Sequence, residues 1–460
     1  MARDRLVPII VASPLFLQNL DASVMATALP SIAESLKVPP LHLNLAITSY
    51  LLSLVVFLPI SGWLADRLGA KRVFCLAIVF FSLGSALCGA ANSLPQLVLF
   101  RVIQGLGGAM MVPVGRLILL RSVPPAQVLS AMVWFTVPGA IGRMAGPLFG
   151  GAIVTVTSWR WIFLINIPFG VLAVFLALAF VENTGGEAVQ VPFDTKGFLL
   201  LALGLCGLLG ALETVGKALA PIWVSCLVAG LSSLALLLYY LHGRSQKHPI
   251  IDLSIMRFRT FRTNVLGATP LRIAIGASPF LLPLMLQLGF GLSPLASGSL
   301  TVATAIGGLA TRVVMKRAIH GFGFRHLLVG TTVLTSLFYM SYSQFSPSTP
   351  HLLMFCTMMM GGLVNSMCMV ALGTLGFSEV PESRMSHATA LASMAQQLSV
   401  SFGVVLGASL VGAASWWHGG DAVHLEGRDF SPAFVVVGMM TMLSLYSFLQ
   451  LDPKEGAGLH

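Results

Sequence analysis

Residues 8–30 read PIIVASPLFLQNLDASVMATALP. A helix needs about 20 mostly apolar residues to cross a bilayer, and this run is long enough. One carboxylate, Asp21, interrupts it. A charge at that depth costs roughly 2.5–3.5 kcal/mol on translocon scales. Two readings of such an acid stay open here: proton or ion coupling, or a structural polar contact.

Comparable apolar runs recur along the chain. Hydrophobic residues make up 56% of the 460 positions and charged residues 9%, against about 25% charged in soluble domains. The runs read as fourteen membrane-crossing helices, near 6–29, 43–65, 73–92, 96–119, 129–156, 161–181, 197–216, 220–242, 263–290, 295–319, 326–345, 351–377, 386–415 and 431–451. One soluble core cannot hide that much apolar surface. The connections are short and marked by Pro, Gly or Asn, which leaves no room for a soluble domain. The fold class expected is an all-α polytopic membrane protein.

Lys and Arg set the orientation of such a chain. With a cytoplasmic N-terminus, Arg67, Lys71, Arg72, Arg121, Arg244, Lys247, Arg257, Arg259, Arg262, Lys316, Arg317 and Arg325 fall on the inner side. Lys37, Arg160, Lys217 and Arg428 fall outside. This asymmetry places both termini in the cytoplasm, as an even number of helices requires, and the expected location is the inner membrane. The net charge of +10 therefore reflects topology and not a nucleic-acid partner. The partners expected are the lipid bilayer, protons and a small-molecule substrate, with the chain acting as a monomer and without a cofactor.

The six cysteines all lie in apolar segments without a CxxC pair, so neither a disulfide framework nor a metal site is expected. The loop residues His418, Asp421, His424 and Glu426 have metal-ligand chemistry but no supporting shell, and Trp416 and Trp417 beside them read as interfacial anchors. No HExxH, GxSxG or acidic metal cluster occurs, so an enzyme is not expected.

A weak internal repeat is present. GWLADRLGAKRVF (62–74) follows the second expected helix and RAIHGFGFRHLL (317–328) the tenth, which aligns Gly69 with Gly323. Repeated halves characterise secondary transporters, and the helices between about 197 and 242 then read as an insertion. In the first copy Gly62 and Gly69 permit a tight turn. Asp66, Arg67, Lys71 and Arg72 supply charges that pair with one another or with helix ends.

That segment resembles the loop signature of the major facilitator superfamily. LDASVMATALP (20–30) resembles the first-helix motif of its fourteen-helix drug/proton antiporters of the EmrB/QacA type, and LFRVIQGLGGA (99–109) their fourth-helix motif. GRMAGPLFGG (142–151) resembles their fifth-helix antiporter motif, and WRWIFLINIP (159–168) is also similar. The MdtD-like branch is the nearest likeness. The resemblance implies the major facilitator fold: a six-helix bundle over 1–182, two inserted helices and a basic cytoplasmic linker over 183–262, and a six-helix bundle over 263–460. It implies proton-coupled efflux by alternating access. Asp21 would be the protonation site, assisted by Arg101. Gly62, Asp66, Arg67, Gly69, Lys71 and Arg72 would form the gating loop. Gly142, Gly146, Pro147, Gly150 and Gly151 would seal the path on one side.

The chain departs from that pattern at Arg143, where relatives carry Pro or a small residue. Arg272 and Arg312 also fall inside expected helices, whereas only Asp21 and Glu213, the latter near an outer helix end, supply embedded acid. Such a cavity repels lipophilic cations and attracts anions. Two substrate classes follow: amphipathic drugs from the resemblance, and organic anions such as carboxylates or metal chelates from the arginines. The arginines have a second reading, in which Arg101, Arg143 and Arg312 snorkel to an interface. Gln18, Asn19, Gln104, Arg143, Arg272, Gln287, Asn365 and Gln397 are the substrate-cavity candidates, and glue between helices is the other role for polar groups of this kind. Proton symport and a non-transporting sensor are the remaining alternatives.

Overall fold

The computed structural model describes residues 2–122, 128–182, 192–217, 221–246, 249–381, 384–419 and 425–452. The described residues are helical throughout, with no strand. In a lipid core a helix satisfies its own backbone groups, which is why apolar runs of this length take no other form. The helices are α1 Ala2–Leu36, α2 Asn44–Phe57, α3 Ile60–Leu68, α4 Ala70–Ala90, α5 Leu94–Ser122, α6 Val128–Val156, α7 Trp161–Leu164 and α8 Asn166–Phe180. They continue with α9 Thr195–Lys217, α10 Ile222–Ser245, α11 Arg259–Arg262, α12 Thr269–Leu284 and α13 Pro294–Tyr342. The last four are α14 His351–Gly376, α15 Met385–Trp417, α16 Gly427–Thr441 and α17 Leu443–Leu449.

Among the described residues, twelve stretches are long and apolar enough to cross a membrane, and the protein is a multi-pass membrane protein. The apolar part of α6, Ile141–Val156, is shorter. Helix α13 holds one non-helical residue, Gly323, after which the chain turns helical again to Tyr342.

The chain forms two compact units. The first comprises Met1–Val38, Leu45–Ala211 and Trp223–Ile250, and the second Pro39–Asn44, Leu212–Ile222 and Ile251–His460. In the first, α1 packs along α6, and α4 along α5. In the second, α12 packs along α15, and α13 along α14. Helix α10 leaves Leu227, Leu231, Leu234 and Leu238 exposed along one side, an apolar face suited to lipid.

The two copies of the sequence repeat share a backbone feature. Gly69 breaks the chain between α3 and α4 with φ 89°, and Gly323 breaks α13 with φ 70°. Both lie in the left-handed region that a side chain disfavours, so the aligned glycines meet the same steric need in each unit.

The cysteines form no disulfide, and Cys75, Cys88 and Cys368 are buried. Cys206, Cys226 and Cys356 are exposed instead, on the apolar helices α9, α10 and α14.

Candidate functional site

Asp21 lies near the middle of α1 and is 3% exposed. Its Oδ2 accepts a 2.6 Å bond from Arg101 Nη1. Its Oδ1 accepts from Gln104 Nε2 at 2.9 Å and from Asn166 Nδ2 at 3.1 Å. Arg101 and Gln104 stand one turn apart on α5, so both reach the same carboxylate. Charge-assisted bonds of this length are about twice as strong as neutral ones. Arg101 is itself 1% exposed. Its Nε donates to Ala46 O at 3.2 Å and its Nη1 also to Gln104 Oε1 at 2.7 Å.

Aromatic rings complete the surroundings of Arg101. The guanidinium carbon lies 4.9 Å from the centre of the Tyr50 ring and 5.3 Å from that of Phe163. Such rings attract a desolvated cation through their negative faces. Asn166 donates also to Ser85 Oγ at 2.9 Å, and Ser85 Oγ donates to Phe163 O at 2.8 Å. Groups from α1, α2, α4, α5, α7 and α8 thus converge on one ion pair. The polar network is worth more to the pair than its members singly, because the low dielectric strengthens each bond.

The fifth-helix motif lies against the residues that flank Asp21. A side chain at Gly142 would meet Phe16 O, at Gly146 Ser23 Cβ, and at Gly150 Val24 Cα, at 2.6, 2.4 and 3.1 Å. Glycine at four-residue spacing lets α6 lie this close to α1. Pro147 and Gly151 are buried within the same helix. Arg143 is exposed, and its Nη1 donates to Asn19 Oδ1 at 2.8 Å, two residues from Asp21. Ser23 Oγ donates to Arg143 O at 3.1 Å.

The loop motif is more open. Nothing lies within 4 Å of a side chain built at Gly62, and Asp66, Arg67 and Arg72 are exposed. Arg67 lies over Trp63 at 5.1 Å, and Trp63 meets Phe193 at 5.0 Å between ring centres. Lys71 Nζ donates at 2.8 Å to Leu178 O, in the last turn of α8, where a cation meets the negative end of the helix dipole.

Of the substrate-cavity candidates, Gln104 belongs to the Asp21–Arg101 network and Asn19 to Arg143. Gln18 is half-buried in the first unit. In the second unit Arg272 bonds to Asn264, and Gln287 Nε2 donates to Ser297 Oγ at 3.4 Å. Asn365 accepts from Thr335 Oγ1 at 3.0 Å and donates to Tyr339 OH at 3.3 Å, and Gln397 is half-buried. Arg312 is exposed. Glu213 is 5% exposed and accepts from Asn44 Nδ2 at 3.1 Å.

No group of metal ligands occurs among the described residues. Asp421 and His424 lie outside them, while His418 bonds to Asp429 Oδ1 at 2.7 Å and Glu426 caps α16.

Sequence reasoning missed Asn166, Ser85, Tyr50 and Phe163 as parts of the site. Asn166 carried a usable signal, a lone amide in the apolar run 161–180.

The site and the fold define a polytopic transporter built around a buried ion pair. The chain matches the Major Facilitator Superfamily over residues 14–252 and 265–459, and it belongs to that superfamily. It is 39% identical over 404 residues to an Escherichia coli protein named "Putative multidrug resistance protein MdtD", covering 88% of this chain and 85% of that one. A Salmonella heidelberg protein of the same name is 40% identical over 413 residues, covering 89% and 87%. Among solved structures, a D-xylose-proton symporter superposes with a TM-score of 0.69 at 16% identity, covering 98% of each chain. These proteins are transporters, not enzymes, and so is this chain.

Proposed function

We propose that the chain is a proton-coupled antiporter that exports small amphipathic molecules by alternating access. The observation that carries this reading is the Asp21 carboxylate, enclosed in the first unit with Arg101 as its counterion. Protonation of Asp21 removes the negative partner of a buried cation, and the network of α1, α2, α5 and α8 groups must then rearrange. A proton moving down ~100 mV releases roughly 2.3 kcal/mol, enough to bias such a rearrangement. The packing of Gly142, Gly146 and Gly150 on α1 joins the fifth-helix motif to the helix that carries the acid. The multidrug name of the relatives supports small drugs as substrates.

In this reading the chain has fourteen membrane helices. α6 and the part of α13 that follows Gly323 join the twelve stretches described above. The six-helix bundles are 1–182 and 263–460, with 183–262 inserted between them. Both termini are cytoplasmic, the membrane is the inner one, and the protein works as a monomer.

Asp21→Asn tests the coupling. Its amide keeps the size of the carboxyl but carries no exchangeable acid. The purified variant in proteoliposomes is expected to lose uptake driven by an imposed pH gradient while remaining folded and inserted. Undiminished uptake would remove Asp21 from the mechanism.

A second reading, export of organic anions, draws on two specific observations. Arg143 is exposed and bonded to Asn19 on the helix that carries Asp21, and Arg272 is buried in the second unit with no carboxylate partner among the described residues. Counterflow with labelled anionic and cationic candidates separates this reading from the first.

A further inference from the structure

Arg272 on α12 is 6% exposed, and no carboxylate pairs with it among the described residues. Its two bonds go to one residue. Nη1 donates to Asn264 O at 2.7 Å and Nη2 to Asn264 Oδ1 at 2.5 Å. The backbone explains how Asn264 has a carbonyl to offer. Thr263–Gly267 forms a π-helical turn, in which Ala268 N–H reaches back to Thr263 O at 3.0 Å. In an α-helix Ala268 would bond Asn264 O instead. The π turn leaves that oxygen to the guanidinium, and turns of this kind recur at functional sites.

Asn264 occupies the end of the guanidinium formed by Nη1 and Nη2. The Nε atom is buried and has no acceptor. The Nε side is one of the planar edges with which arginine binds a carboxylate two-pronged. The Cys368 thiol lies near Arg272; it is buried and also meets Thr332 Oγ1 at 3.8 Å. Ala268, Leu271, Leu372 and Leu375 belong to the apolar cluster that contains Cys368. A full positive charge in such a place is costly unless an anion compensates it.

We propose that Arg272, held by Asn264, is an oxyanion site that takes the carboxylate of a small organic acid on its free Nε edge. The proposal rests on the organic-anion reading and assigns it a residue in the second unit. The edge is sealed in this conformation, so the anion enters when the helices around α12 part during the cycle. Asn264 presents the guanidinium, and the ligand supplies the missing negative charge.

The test measures ligand-induced thermal shifts of the purified full-length protein, with benzoate, its neutral isostere benzamide, inorganic phosphate and tetraphenylphosphonium as probes. Benzoate is expected to raise the melting temperature of the wild type, and benzamide is not. In Arg272→Gln the apparent benzoate affinity is expected to fall at least about tenfold, the equivalent of one lost charged contact. Arg272→Lys keeps the charge and loses the planar edge. It is expected to retain part of the shift, and it serves if the Gln variant does not fold.

An equal benzoate shift in wild type and both variants would overturn the site while leaving anion transport standing. A shift with tetraphenylphosphonium and none with benzoate would overturn the anion reading together with the site. Phosphate acting where benzoate does not would overturn the organic class of ligand. No shift with benzoate in the wild type overturns the proposal. A purely structural role for Arg272, bracing the π turn, would change the melting temperature of the variants without separating benzoate from benzamide.

Discussion

Arg101 and Arg272 are the same residue type at nearly the same burial, 1% and 6% exposed, one in each unit. Arg101 meets a carboxylate contributed by another helix, 80 residues away in sequence. Arg272 meets the carbonyl and amide oxygens of a residue eight positions back. Arg101 therefore has its counterion within the first unit, whereas Arg272 has no carboxylate partner among the described residues. Depth in the membrane does not decide what a buried arginine does. Its partner does, because the cost of burial is set by what remains uncompensated.

The largest effect expected from this contrast is at Arg101. Arg101→Met leaves the Asp21 carboxylate buried without its counterion, and breaking such a pair typically costs about 3–5 kcal/mol. Denaturant unfolding of the purified variant reads the loss. Combining it with Asp21→Asn is expected to recover most of the stability, since no charge is then left uncompensated. If the double variant is as unstable as Arg101→Met alone, the pair is not what holds α1 to α5.

A smaller change is expected in the second unit. Arg272→Met removes a cation for which no carboxylate partner occurs among the described residues, which relieves an uncompensated charge, but it leaves the two Asn264 oxygens without their donor, which costs about 1–3 kcal/mol. The net change is measured on the ligand-free protein, in the same unfolding series. A loss as large as that of Arg101→Met would mean that the bonds to Asn264 compensate the charge fully, and the distinction between the two arginines would collapse.

The twelve spans found among the described residues were legible in the sequence because each is an apolar run whose length matches a bilayer. Asp21 and Arg101 were legible because a charge inside such a run stands out, and Gly69 and Gly323 because their surroundings repeat. The pairing of Arg101 with Asp21 was implied by the family resemblance, but the other groups that converge on the carboxylate were not visible. Asn166 reaches Asp21 across 145 residues, and no local pattern encodes that contact. Gln104 read as one of several cavity polars, yet it is a ligand of the carboxylate. The π turn before α12 was equally hidden, since it is a one-residue shift in backbone bonding within an unremarkable run. The internal break in α13 was expressed in sequence as the gap between the runs 295–319 and 326–345 and as the second copy of the loop.

A smaller effect separates the two glycine motifs of the first unit. Gly146→Ala places a methyl 2.4 Å from Ser23 Cβ on α1, and overpacking of this kind costs about 1–3 kcal/mol. Gly62→Ala meets nothing within 4 Å in helix α3, so it is expected to stabilise by roughly 0.5–1 kcal/mol through lost backbone freedom in the unfolded chain. Melting temperatures of the two variants should move in opposite directions. A common direction would show that the loop motif is as tightly packed as the α1–α6 seam.

The smallest effect belongs to an ion pair outside the spans, which shows what water does to the same chemistry. Asp252 lies 3.7 Å from Arg384 with 28% of its side chain exposed, and accepts a 3.0 Å bond from Ser254 N–H. Burial pushes its carboxyl up, but the Ser254 bonds together with Arg384 and His387 outweigh this and hold it below the ordinary aspartate value of 3.8. A depressed acid stabilises the fold when ionised. The contribution is therefore complete above the unfolded-state value and is lost as pH falls through the lower folded-state one. Asp252→Asn is expected to cost less than about 1 kcal/mol at neutral pH, since solvent screens the pair. The difference from wild type should vanish on acidification through the lowered folded-state value, whereas that of Arg101→Met persists at neutral pH and in high salt. Salt sensitivity is the sharper reading of the two. An exposed pair weakens as ions screen it, and a loss at Asp252 that ignores salt would place this contact with the buried pair after all.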